Sequence, residues 1–105
     1  MGSTSGFALE QISSTVPKWD YSFYRTSHGA EIDLVMEWKE HRLAVEFKCS
    51  KTPKAARGFH QALSDLNISD AWIIAPIDDH YPTQDATVSG LQAFLNHVKL
   101  LASKS

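Results

Sequence analysis

From Glu31 to Cys49 apolar and polar positions alternate with a period of two. Successive side chains of an extended chain point to opposite faces, so Ile32, Leu34 and Met36 are expected on one side of a strand. Glu31, Asp33 and Val35 fall on the other. After a polar turn from Trp38 to His41 the pattern resumes, with Leu43, Val45 and Phe47 set against Ala44, Glu46 and Lys48. An aromatic run, Tyr21 to Arg25, precedes these strands across the turn Thr26-Ser27-His28-Gly29. Together they predict a three-stranded antiparallel meander.

The remaining pattern is helical or buried. Gly6 to Ser14 reads as a short helix with Phe7, Ala8 and Ile12 on its apolar side, and Pro17 stops it. After a loop over residues 50–56, Phe59, Leu63 and Leu66 recur at helical spacing, which predicts a helix from Arg57 to Leu66. Asp70 to Pro76 is an almost unbroken apolar run. Following a helix, it reads as a strand buried on both faces and part of a crossover unit. Ile77 to Asp85 is expected to be a polar loop and Ala86 to Ser89 a short strand. Leu91 to Ala102 is expected to be an amphipathic helix with Leu91, Phe94, Leu95, Val98 and Leu101 inward. The order is α-β-β-β-α-β, then a small strand and a helix: an α/β fold with a mixed sheet flanked by helices.

Composition narrows the class. At 105 residues, 43% of them hydrophobic, the chain is expected to form one domain over residues 6–102, with residues 1–5 as a flexible leader. A formal net charge of −2 favours no partner, but four of the ten Lys and Arg residues (Lys48, Lys51, Lys54, Arg57) fall within one ten-residue stretch. The single cysteine, Cys49, permits no intrachain disulfide, which fits a reducing, cytoplasmic setting. It is expected to point into the core. No apolar run is long enough to span a bilayer. The five histidines lack short ligand spacing, which disfavours a zinc site, and no G-x-x-x-x-G-K stretch occurs.

Asp33 and Glu46 are candidates for chemistry because they stand on neighbouring strands joined by a short turn, with Lys48 two residues beyond Glu46. Two readings follow. In one, the charges form the solvated side of a sheet, where Lys48 pairs with Asp33 or Glu46 for roughly 0.2–1 kcal/mol. In the other, two adjacent carboxylates relieve their repulsion by binding a divalent cation. Mg²⁺ suits a site with one or two carboxylates, and an adjacent ammonium then stabilises developing charge.

The series Asp33 … Glu46-Phe47-Lys48 resembles the D…ExK signature of the PD-(D/E)XK nuclease superfamily, whose restriction-endonuclease-like core has the same α-β-β-β-α-β order. The longer stretch FYRTSHGAEIDLVMEWKEHRLAVEFKCSKTP, with the Gly58-Phe59 helix after it, resembles one branch of it. That branch is the C-terminal domain of unknown function fused to bacterial and archaeal AAA-type P-loop ATPases. The resemblance covers roughly residues 6 to 100. It implies that Asp33 and Glu46 are ligands for Mg²⁺ (or Mn²⁺), that the Phe47 carbonyl assists, and that Lys48 is the catalytic lysine. Glu10 would be a further acidic ligand, Glu31 a second acid and Gln61 a helix glutamine near the site. Lys51, Lys54 and Arg57 would meet the phosphates of DNA. The chain is then expected to be a C-terminal piece of a larger ATPase, and either a Mg²⁺-dependent nuclease or an inactive module of nuclease fold. Such a module would bind nucleic acid or protein for its parent.

Overall fold

The computed structural model describes residues 4–48, 57–84 and 86–103, without the side chains of residues 4–7. Helix α1 (Thr4–Thr15) leads into the meander of β1 (Asp20–Arg25), β2 (Glu31–Trp38) and β3 (His41–Phe47). Then follow α2 (Arg57–Leu66), β4 (Asp70–Ile74), β5 (His80–Pro82), β6 (Thr87–Ser89) and α3 (Leu91–Ser103). The strands form one mixed sheet of six in the order β1-β2-β3-β4-β6-β5. β1, β2 and β3 pair antiparallel, β3-β4 and β4-β6 pair parallel, and β5 returns antiparallel along β6.

Both faces of the sheet are covered. Ile12 of α1, Val16 just beyond it, and Phe94, Leu95 and Val98 of α3 pack on Leu34, Met36, Leu43, Val45, Trp72 and Ile74. On the opposite face Phe59 and Ala62 of α2 meet Val35, Ala44, Ala71, Ile73 and Val88. β4 is therefore apolar at every position that follows Asp70, as a strand between two helical layers requires.

Local chemistry sets the ends of the elements. α1 stops before Pro17, and the Tyr21 hydroxyl donates to the Val16 carbonyl beyond its last turn. Burial pushes that hydroxyl up to about 12, so it stays a neutral donor in ordinary buffers. α2 closes on Asn67 at φ 55°, with Ile68 N–H donating to Leu63 O (3.0 Å) and Asn67 N–H to Ser64 O (3.2 Å). That is a Schellman cap with asparagine at its left-handed position. At the other end of α2, Gly58 lies against the β1-β2 turn, where a Cβ would collide with the Gly29 carbonyl oxygen. Gly29 itself holds φ 92°. The atom struck is backbone and cannot rotate away, so Gly58→Ala is expected to cost about 1–3 kcal/mol. Urea denaturation would measure it, and a loss below 0.5 kcal/mol, roughly the scatter of neutral surface substitutions, would mean that the helix can shift freely.

Four expectations need correction. Ile32 does not share a face with Leu34 and Met36; it packs with Val35 on the α2 side. The β1-β2 register explains this: Ser22 pairs with Val35 but Tyr24 with Ile32, so three β2 steps oppose two β1 steps. A β-bulge at Asp33-Leu34 reverses the alternation there. Val35, grouped by alternation with the charged positions, is buried. The expected loop from Ile77 to Asp85 contains strand β5, and Thr4 and Ser5 of the expected leader lie in α1.

Candidate functional site

The site forms where β3 ends, at the centre of the sheet. Lys48 N–H donates to Ile74 O (2.8 Å), which continues the parallel β3-β4 ladder. Backbone amides alternate in direction along a strand, so the Phe47 amide points the other way, toward β2. The last backbone pair of that ladder is Leu34 with Val45. Beyond it the bulge at Asp33 has taken β2 out of register, and the Asp33 side chain supplies the acceptor: Phe47 N–H donates to Asp33 Oδ2 at 3.0 Å. A carboxylate thus occupies the gap between the strands, where a backbone carbonyl would ordinarily stand.

Glu46 and Lys48 flank that amide along the chain. Glu46 is 8% exposed and stands beside Ile73 of β4. Its Oε1 lies 3.3 Å from Lys48 Nζ, whose side chain is 32% exposed. Asp33 therefore holds the Phe47 amide while the Glu46-Lys48 pair flanks it along the chain, with two negative charges against one positive. The group stands at the carboxyl end of β3, level with that of β4. In open α/β sheets the crevice beyond those ends is the usual place for a ligand. The sequence singles out these three residues from the hairpin alone. It gives no hint that Asp33 reaches a main-chain amide, because a bulge leaves no mark on an alternating pattern.

The other expected residues separate from this group. Glu10 is exposed on α1, a helix packed with α3. Among the described residues no three His, Cys, Asp or Glu side chains come together around one metal position, so Glu10, Asp33 and Glu46 form no triad. Glu31 is held by Arg25 across the β1-β2 pair (Nη2 to Oε2, 2.7 Å), an exposed ion pair that contributes little. Gln61 Nε2 donates to Asp65 Oδ1 (2.9 Å), and the same carboxylate accepts the Tyr24 hydroxyl (3.3 Å). Burial, then the Asp65 charge and its hydrogen bond, raise the Tyr24 hydroxyl above its ordinary value. Arg57 is exposed at the start of α2. Lys51, Lys54 and Cys49 lie outside the described residues. None of the described helices is long and apolar enough to cross a membrane.

Comparison with known proteins places the chain among others. The profile of a family described as Domain of unknown function (DUF4143) matches residues 3–94. An uncharacterized protein of Mycobacterium tuberculosis and another of Mycobacterium bovis are each 31% identical over 87 residues, 83% of this chain. Those residues make up 20% of each relative, so the chain spans about a fifth of the length of the curated proteins it matches. No solved structure matches it.

Proposed function

Starting from a chain that belongs to the DUF4143 family, we propose that it is a nuclease-like domain of PD-(D/E)XK type. It would act on DNA phosphodiester bonds with Mg²⁺ or Mn²⁺ and serve a longer AAA-type ATPase. The observation that carries this reading is the Asp33 carboxylate on the Phe47 amide, flanked in the chain by the Glu46-Lys48 ion pair, at the open end of the β2-β3 ladder. The donor set is two carboxylates with the Phe47 carbonyl beside them, all hard oxygen donors of the kind Mg²⁺ takes. When bound, the cation would be held by Asp33 and Glu46 and would polarise a phosphoryl oxygen.

The protein's own part follows from its geometry. The Phe47 amide fixes the Asp33 carboxylate, so that charge is positioned in advance. Lys48, one-third exposed, keeps its ammonium at the rim, where it can stabilise charge developing on the phosphate. Arg57 at the start of α2, with Lys51 and Lys54 before it in the chain, would meet flanking phosphates, and binding would weaken with salt. Glu10 has no part in this reading.

A second reading rests on the same contacts. Glu46 already pairs with Lys48 through Oε1, and Asp33 already accepts from Phe47, so both carboxylates are engaged within the chain, while Glu46 Oε2 is buried without a hydrogen bond among the described residues. Carboxylates already engaged suit a module that keeps the fold and binds DNA or a protein for its parent without cutting.

Metal titration separates the two. Mn²⁺ added to the isotopically labelled protein is expected to broaden the amide signals of Asp33, Phe47 and Lys48 selectively, and Glu46→Ala is expected to abolish that. Mg²⁺ at a hundredfold excess over its dissociation constant should raise unfolding stability by about 2.7 kcal/mol. Broadening spread evenly over the surface carboxylates, with no gain in stability, would leave only the binding module.

A further inference from the structure

A groove of about 450 Å³ opens on the α1-α3 side of the sheet. Its apolar wall is Val16, Trp19, Trp38 and Ala102, and Lys18 and Lys99 stand on it from two different elements. This volume lies within the range of small-molecule sites, which are mostly apolar with a few placed charges.

Three features give the groove a chemical preference. Among the described residues no residue that lines the groove is acidic. Among the described residues neither Lys18 nor Lys99 takes part in an ion pair. Trp19 is 3% exposed, and its indole N–H has no acceptor among the described residues. A buried donor without a partner is costly.

The size of the charge is limited as well. α1 ends at Thr15 and α3 at Ser103, and both residues line the groove. Helix C-termini carry partial negative charge, which opposes a phosphate dianion more than a single carboxylate. We propose that this groove is a binding site for an apolar monocarboxylate. Its ring or chain would lie against Trp19 and Trp38 and its carboxylate between Lys18 and Lys99. The site is independent of the Asp33-Glu46-Lys48 group.

The protein has three tryptophans, so indole N–H signals in a nitrogen-15 spectrum report the site directly. The probe is 1-naphthaleneacetate, with 1-naphthaleneacetamide as its uncharged counterpart. The acid is expected to shift the Trp19 and Trp38 indole signals saturably. Trp72, whose indole donates to Asp70 and which does not line the groove, should stay in place. The amide should bind about tenfold more weakly, and the double variant K18E/K99E should weaken the acid by about tenfold or more. Its unchanged Trp72 signal would show that the variant is folded. Equal binding of acid and amide, equal shifts at all three indoles, or affinity indifferent to the charge reversal would each overturn the proposal.

Discussion

On the proposed nuclease reading, replacing Lys48 with alanine is expected to lower phosphodiester hydrolysis about 10²–10³-fold, with little change in KM for DNA. That is the ordinary consequence of removing one group aimed at transition-state charge, equivalent to about 2.7–4 kcal/mol. The split between kcat and KM matters, because a lysine that merely held the backbone of DNA would raise KM instead. Lys48 also neighbours Glu46, so the variant must be shown to fold before its rate is interpreted. Asp33→Asn supplies the sharper control. Its amide oxygen can still accept the Phe47 N–H, so the strand end should hold while the charge is gone. Asp33→Ala forfeits both, and is expected to lose an additional 0.5–1.5 kcal/mol or so of stability. Cleavage by Lys48→Ala within threefold of the parent chain's rate, on a substrate that the parent cuts, would remove Lys48 from the chemistry.

How much of this could be read from the chain depends on where the information lies. α3 was legible because Leu91, Phe94, Leu95 and Val98 repeat at helical spacing directly after Gly90, and only such a face can cover a sheet. β4 was legible because an apolar run with no polar side has to lie between two layers. β5 was not. His80-Tyr81-Pro82 has neither alternation nor apolar bulk and is exposed throughout; its extended shape comes from pairing with β6. The strand is a property of its neighbour, so no local signal could announce it.

The candidate site divides in the same way. Asp33, Glu46 and Lys48 were legible because a short hairpin leaves their positions little freedom. Its Lys39-Glu40 turn, with Lys39 at φ 54°, pairs Trp38 with His41 and so fixes every later pair up to Leu34 with Val45. What the hairpin does not specify is the bulge beyond that pair. Alternation put Ile32 with Leu34, whereas the extra residue turned Ile32 toward α2 and brought the Asp33 carboxylate to the Phe47 amide. Glu10 and Gln61 failed to join for a different reason. Their helices dock through Ile12 and through Phe59 and Ala62, and that apolar contact, not the position of a charged side chain, decides which way each helix faces. The tryptophan groove had no signature at all, since Lys18-Trp19, Trp38 and Lys99 meet only after α1, β2 and α3 have packed.

Phe94→Ala is expected to be the most damaging core substitution. The ring is completely buried among Trp72, Leu95 and Val98, and meets Trp72 edge-on with centroids 5.3 Å apart. Truncation removes the transfer free energy of the ring and leaves a cavity that α3 and β4 cannot close without moving. The cost for a buried aromatic is about 3–5 kcal/mol. Against a total of about 5–15 kcal/mol for a domain of this size, that is a large part of the stability. Thermal denaturation should shift down by about 15–30 °C. Phe94→Leu, which keeps most of the apolar volume, should cost far less, about 1–2 kcal/mol. The damage should also reach the candidate site. Ile74, whose carbonyl receives the Lys48 amide, follows Trp72 on β4 and packs in the same cluster as Phe94. Amide exchange at Lys48 should therefore quicken in Phe94→Ala well below its melting temperature. A Tm within 5 °C of the parent chain, or unaltered exchange at Lys48, would show that the α3 layer is not what holds the end of β3 in place.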